Sequence, residues 1–323
     1  VSGRAPGVVV GVDIGGTKVL AGVVDAEGRV TRTARRTTPG RRVVTSRVED
    51  ALVEAVVEAA AGAPLAGVGV AAAGLVDRAG ERVMFAPHLP WQGEPLRELL
   101  ADRLGCAVLL DNDANCAARA EATHGAARGA GSALMITMGT GIGGAVLLDG
   151  RVVRGANGMA GEFGHMQVVP DGLTCECGRR GCWEQYSSGN ALVRHARAAL
   201  AAGQPSVLHE TADGDLDRVS GPMVTAAAGS GDPVAAQAFA SVGDWLGVGT
   251  ANLVAALDPE VVMVGGGLSA AGDLLLEPAR AALRRSLVGG AHRRTPDVLA
   301  ARLGPQAGMI GAALLVSAAH AQR

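Results

Sequence analysis

At 323 residues, 48% hydrophobic and 19% charged, the chain is long enough for two domains and too apolar to remain disordered. Its 29 basic and 31 acidic residues leave a formal charge of -2, which gives no global footprint for a nucleic-acid backbone. Aromatic residues make up only 2%, whereas glycine occupies 48 positions, about twice its usual ~7% share.

In chain order, Val8 to Val12 reads as a buried strand, followed by a glycine turn, a second strand from Val19 to Val24, and a third near Val30. Arg29, Arg32, Arg35, Arg36, Arg41, Arg42 and Arg47 are scattered through this third strand and the next loop, and are expected on a solvated face. A helix is predicted from about Ser46 to Ala61, where Val48, Leu52, Val53, Val56 and Val57 recur at helical spacing. A strand at Ala66 to Val70, a helix at Pro95 to Leu104 and a strand at Ala107 to Leu110 follow. The next helix opens at Asp111-Asn112-Asp113, whose side-chain oxygens suit an N-terminus. Gly129 to Leu148 holds 20 uncharged residues, but six are glycine and Gly139-Thr140-Gly141 interrupts the run, so two buried strands are expected rather than a membrane span. Arg154 to Gly181 reads as loop, Glu184 to Ala202 and Pro233 to Leu257 as helices, and Gly203 to Gly221 as a long surface excursion. Val261 to Val264 is a strand running into Gly265-Gly266-Gly267, Val298 to Ala300 another, and Gln306 to Ala319 a closing helix. Alternating strands and helices of this kind indicate an α/β fold. The start, with Arg4 and eight uncharged residues before Asp13, lacks a signal-peptide pattern, and cytoplasmic residence is the default expectation.

A repeat organises these elements. Val8 to Val30 reads strand, Asp-Ile-Gly-Gly-Thr-Lys, strand, Asp, turn, Gly-Arg-Val; Ala133 to Val152 reads strand, Gly-Thr-Gly-Ile-Gly-Gly, strand, Asp, then Gly-Arg-Val. Two such openings point to a duplicated domain with a cleft between the copies. At the first turn, Gly15 and Gly16 permit exposed backbone N–H groups, Thr17 and Lys18 can donate to phosphate oxygens, and Asp13 can hold a metal ion through water. Gly139 to Gly144 matches a dinucleotide fingerprint, yet a strand follows it instead of a helix, which favours a second phosphate loop. Asn112-Asp113 sits at a strand-to-helix junction, where the two side chains can cap the helix and offer a general base to an attacking hydroxyl.

His165, Cys175, Cys177 and Cys182 place one imidazole and three thiols within 18 positions. That donor set suits a tetrahedral structural Zn2+ that leaves no open coordination position. Cys106 and Cys116 are read as small buried side chains. Glu162, His165 and Glu184 flank the cluster and, fixed by it, would meet a hydroxyl-rich ligand.

Taken together, the Asp13 to Lys18 loop, Asn112 to Asn115, Gly139 to Gly144, Ala160 to His165 and Cys175 to Glu184 resemble the sugar kinases of the ROK family (repressor, open reading frame, kinase). The resemblance runs from about Val8 to Leu315, and the run Trp183 to Leu192 is most similar to bacterial glucokinases within that family. It implies an actin-like ATPase (ribonuclease H-like) α/β fold of two domains flanking an interdomain cleft. The smaller spans 1–117 with 305–323, and the larger spans 118–304 and carries the zinc loop. It also implies ATP-dependent phosphorylation of glucose at O6, with Mg2+ and structural Zn2+ as cofactors. Asp113 matches the catalytic base. Gly74, Asn112, Asp113, Glu162, His165 and Glu184 match sugar ligands, His165 binding zinc through its other ring nitrogen. Gly15, Gly16, Thr17 and Lys18 with Thr140 and Gly141 match phosphate loops, Asp13 the Mg2+-associated carboxylate, and Gly265, Gly266 and Gly267 the segment under adenosine. Ala73 stands where many members have Pro, His88 where many have Asn, and Met138 where Leu is usual. Other hexoses as acceptor (mannose, fructose, N-acetylglucosamine) or polyphosphate as donor are alternatives. A sugar-sensing regulator without a DNA-binding domain is another, since only twelve residues precede Asp13, where the family's repressors carry that domain. A homodimer or homotetramer is expected, with no nucleic-acid or membrane partner.

Overall fold

The computed structural model describes residues 7–321; Arg4 and the reading of the chain start lie outside them. The described residues divide into two compact units, one of residues 7–135, 145–161 and 302–321 and the other of residues 136–144 and 162–301.

In the first unit, β1 (Val8–Ile14), β2 (Lys18–Val24) and β3 (Val30–Thr37) form an antiparallel meander. After α1 (Thr45–Ala60), β4 (Leu65–Ala72) pairs parallel to β1. The short strands β5 (Leu75–Val76) and β6 (Val83–Phe85) form a separate hairpin, and α2 (Leu96–Leu104) leads to β7 (Val108–Asn112), parallel to β4. The sheet order is β3-β2-β1-β4-β7. Alternation along β1 sends Val10, Val12 and Ile14 to one face, all fully buried with Val48, Leu52 and Val56 of α1. Each such aliphatic side chain contributes about 1.5–3 kcal/mol by leaving water.

The opposite face is built differently. α3 (Asp113–His124) and α9 (Ala307–Ala321) cover it, and α9 lies so close that a Cβ on Gly11 would strike the Met309 carbonyl and one on Gly69 the Ala312 carbonyl. Much of the glycine excess is therefore packing: bare backbone on the sheet lets a helix backbone approach it directly.

Further along, β8 (Ser132–Met138), β9 (Ile142–Leu148) and β10 (Arg151–Val152) are followed, past the loop-rich stretch, by α4 (Gly189–Ala201), α5 (Leu208–Thr211), α6 (Gly221–Gly229) and α7 (Pro233–Leu257). The chain then forms β11 (Val261–Gly265), α8 (Asp273–Ser286) and β12 (Asp297–Ala300). The second sheet has the order β10-β9-β8-β11-β12, the same connectivity as the first, so the repeat read in the sequence is a repeat of topology. The division between the units falls within β8 and β9.

The predicted and observed elements differ in more than their bounds: β5, β6 and α6 have no predicted counterpart, and three other differences have a local cause. The helix expected from Glu184 begins only at Gly189, because Ser188 caps it by accepting from the Ala191 N–H (3.2 Å), and Trp183–Gln185 forms a separate 3-10 turn. α8 has no counterpart in the predicted elements, since Pro278 lies inside it and breaks the helical signal. The excursion over residues 203–221 is not wholly superficial: Leu208, Ala212 and Val219 are buried, and α5 forms within it.

Candidate active site

The first unit gathers its sequence-predicted site residues at the C-terminal ends of three parallel strands. Register places Asp13 beside Ala71, and Ala71 beside Asp111; one step on, Ile14, Ala72 and Asn112 align. Ligand sites of open α/β sheets lie at such ends. The turn Gly15 to Thr17 closes with the Gly15 N–H on the Lys18 carbonyl (3.0 Å). Thr38, buried and unmarked by any motif, braces it by donating its hydroxyl to the Gly15 carbonyl (2.8 Å). Nothing lies within 4 Å of a Cβ built on Gly15, whereas Gly16 is pressed against the His88 side chain. Asp13 is half-buried, and desolvation pushes its carboxyl up to about 6 despite the opposing charge of Lys18. Gly308 in the first turn of α9 leaves room for this carboxylate, since a Cβ there would stand 3.0 Å from its Cγ.

Asn112 and Asp113 divide their work. The Asn112 carboxamide oxygen caps α3, accepting from the N–H groups of Ala114 (2.9 Å) and Asn115 (3.1 Å), and its amide donates to the Gly74 carbonyl (3.1 Å). Gly74 is thus tied to the strand end, at a φ of 155°. Asp113 is the first residue of α3; its Oδ1 accepts from the Ala114 N–H (2.9 Å), and helix N-termini favour a negative charge at this position.

In the second unit, Gly139-Thr140-Gly141 turns with the Gly139 N–H on the Gly141 carbonyl (3.0 Å), and the start of α4 docks on it through the Gly189 N–H to the Gly139 carbonyl (2.8 Å). The Glu184 carboxylate lies directly over Gly141, so a Cβ there would push its tip aside. Gly265 ends β11; Gly266 has a φ of 81° and presses its backbone against Met138, while Gly267 faces open space. Both the positive φ and the close approach exclude a side chain at Gly266.

The ligand atoms of His165, Cys175, Cys177 and Cys182 all lie within 4.8 Å of one another. Cys177 and Cys182 sulfurs are 3.6 Å apart, too far for a disulfide and close to the roughly 3.8 Å edge of a tetrahedron built on ~2.3 Å Zn–S bonds. His165 turns Nδ1 toward Cys175 Sγ at 3.7 Å, so Nδ1 is the nitrogen on the metal side. Burial pushes the Cys175 thiol up to about 12, so a thiolate there needs a cation against it. The donor set therefore fits a structural zinc ion. Gly178 and Gly181 bend the knuckle at positive φ. Fully buried Trp183 fastens it to α7, donating Nε1–H to the Trp245 carbonyl (2.7 Å) and packing on Gly249. Glu184 Oε1 lies 3.1 Å from Cys175 Sγ and 3.7 Å from His165 Nδ1. The Glu162 carboxyl is raised by desolvation, with His165 opposing and the Glu184 charge adding.

No motif marks Thr38, the anchoring role of Trp183 or the pairing of Asp111 with Arg154. Of the other two cysteines, Cys116 is buried as expected and Cys106 only half-buried.

Comparison with known proteins places this geometry in context. The chain is 45% identical to a glucokinase of Streptomyces coelicolor over 309 residues, 95% of this chain and 96% of the relative. It is 34% identical to a glucokinase of Thermotoga maritima over 316 residues, again 95% of this chain and 96% of the relative. A crystal structure of a ROK family glucokinase from Streptomyces griseus, in complex with glucose and AMPPNP, superposes with a TM-score of 0.88 at 46% identity, covering 96% of this chain and 99% of that one. The two five-stranded sheets are those of the actin-like ATPase fold. A family model described as ROK family matches residues 9–319, and with these near full-length likenesses the chain belongs to the ROK family.

Proposed function

We propose that the chain is an ATP-dependent glucokinase, transferring the γ-phosphoryl group of ATP to O6 of glucose. The observation that carries this reading is the 45% identity to a glucokinase over 95% of the chain. The local geometry described above is in keeping with it.

In the proposed reaction, Asp113 accepts the O6 proton as O6 bonds to the γ-phosphorus and the bond to the β,γ-bridging oxygen breaks, releasing ADP. Asn112 orients the sugar while holding the helix start, and Gly74, Glu162, His165 and Glu184 bind hydroxyls. Gly15, Gly16, Thr17 and Lys18, with Thr140 and Gly141, donate to phosphate oxygens; Gly265, Gly266 and Gly267 lie under adenosine. Asp13 would hold Mg2+, which when bound would supply positive charge to the phosphates. His165, Cys175, Cys177 and Cys182 would hold zinc, and with it they would pin the loop bearing the sugar ligands. A cytoplasmic homodimer or homotetramer completes the proposal.

The test is a panel of glucose, mannose, fructose and N-acetylglucosamine against ATP and polyphosphate, read as kcat/KM. Glucose with ATP is expected to lead; a higher value for another acceptor or for polyphosphate overturns the assignment. Asp113→Asn is expected to lower kcat roughly 10²–10⁴-fold with glucose still bound, and near-normal turnover removes Asp113 from the base role.

A further inference from the structure

β4 and β7 run side by side, yet where β4 ends on Ala71 and Ala72, β7 ends on Asp111 and Asn112. Asp111 is 1% exposed. Its Oδ1 accepts from the Asn112 N–H (2.9 Å), the Asn115 side-chain amide (3.0 Å) and Arg154 Nε (3.2 Å), with a second Arg154 nitrogen at 2.9 Å. Arg154 spends the rest of its guanidinium on the Leu110 carbonyl (3.0 Å) and the Arg78 carbonyl (3.0 Å). Gly80, at a φ of 65°, brings its turn over this group; a Cβ there would lie 3.3 Å from the guanidinium.

Asp111 is buried while the Arg154 side chain stays 26% exposed, and such a pair is a poor source of stability, because desolvating the carboxylate offsets much of the attraction. What it supplies is directional constraint. A planar fork fixed on three acceptors cannot slide, and it grips the residues immediately before Asn112 and Asp113. The same carboxylate oxygen holds the Asn112 N–H and the Asn115 side chain, so one ion pair fixes both sides of the helix start.

We propose that Arg154, through Asp111, is the positioning residue that sets Asn112 and Asp113 for phosphoryl transfer. The inference rests on the reading of Asp113 as the base. Misplacing a reacting group by an ångström costs on the order of 10²-fold in rate, and the clamp removes that freedom at the strand end.

The experiment compares Arg154→Gln, Arg154→Lys, Asp111→Asn and the double variant Asp111→Asn/Arg154→Gln with wild type, measuring kcat, KM for glucose, KM for ATP and the thermal midpoint. Arg154→Gln is expected to lower kcat roughly 10–100-fold and to raise the glucose KM through Asn112, with the ATP KM unchanged. Arg154→Lys should recover only part of this, since an ammonium cannot fork across three acceptors. The double variant should lose no more kcat than Arg154→Gln alone. Wild-type kcat and glucose KM in Arg154→Gln overturn the proposal. So do glucose and ATP parameters that decline together in step with the thermal midpoint, the pattern of a general folding lesion. If Arg154→Gln does not fold, Asp111→Asn carries the test, with the same split between glucose and ATP expected and its absence decisive. An inactive Asp113→Asn beside a fully active Arg154→Gln refutes the clamp alone, whereas an active Asp113→Asn refutes the base assignment beneath it.

Discussion

Replacing Asp13 by Asn should make the ligand-free protein more stable while abolishing turnover. In the folded chain the Asp13 carboxyl sits at about 6 against an ordinary value of 3.8, raised by desolvation at the end of β1 with Lys18 opposing. The folded state holds this proton more tightly than the unfolded chain, so the wild type gains stability as pH falls from about 6 toward 3.8 and pays for the ionised carboxylate above that window. At ~1.4 kcal/mol per pH unit the cost near neutrality is about 3 kcal/mol, and at pH ~4.5 only about 1 kcal/mol of it remains. Asn keeps the shape without the charge. Calorimetric melting without nucleotide or magnesium should therefore show Asp13→Asn ahead by roughly 4–5 °C at pH ~7.5, with the gap narrowing steadily in acid. A variant no more stable than wild type near neutrality, or a gap independent of pH, refutes the reasoning. Such a result would mean that the carboxylate is solvated or paired well enough to ionise normally.

Two further outcomes follow from other parts of the fold. Dialysis against a strong chelator is expected to release one zinc per chain, loosen the 160–184 loop to proteolysis and weaken glucose binding more than nucleotide binding; elemental analysis finding no stoichiometric zinc in reduced protein refutes the metal assignment. Ala61 closes α1 with φ 48°, its N–H on the carbonyls of Val57 and Glu58, and Ala61→Gly should stabilise the protein by about 1 kcal/mol by relieving the left-handed strain. Urea unfolding reads this directly, and an unchanged or lower midpoint contradicts it.

What was legible in the sequence was what local chemistry writes. α7 was bounded to the residue because Asp232-Pro233 starts it unambiguously, Asp232 accepting from the Ala235 N–H (2.9 Å). The Cys/His knuckle stood out because thiols are rare, and the repeated hairpins because their polar turns matched. The rest depends on partners distant in the chain. Asp111 looked like one more helix-start carboxylate until Arg154, 43 positions on, was found against it. Thr38 braces a turn 23 positions earlier, and no periodicity reports that. α8 was hidden by its own Pro278.

The bare face of the first sheet has a consequence for how the chain is made. The α1 side of that sheet finds all its partners within the first third of the chain, whereas Gly11 and Gly69 on the other side wait for Met309 and Ala312. A chain emerging from the ribosome therefore carries β1 and β4 with one face dressed and the other covered only in part, by α3, until almost the last residues are synthesised. Contacts of such long sequence separation form late and slowly, and the waiting surface is the part exposed to misassembly. The helix that completes it also brings Gly308 to Asp13, so that carboxylate acquires its final surroundings only when synthesis is nearly over.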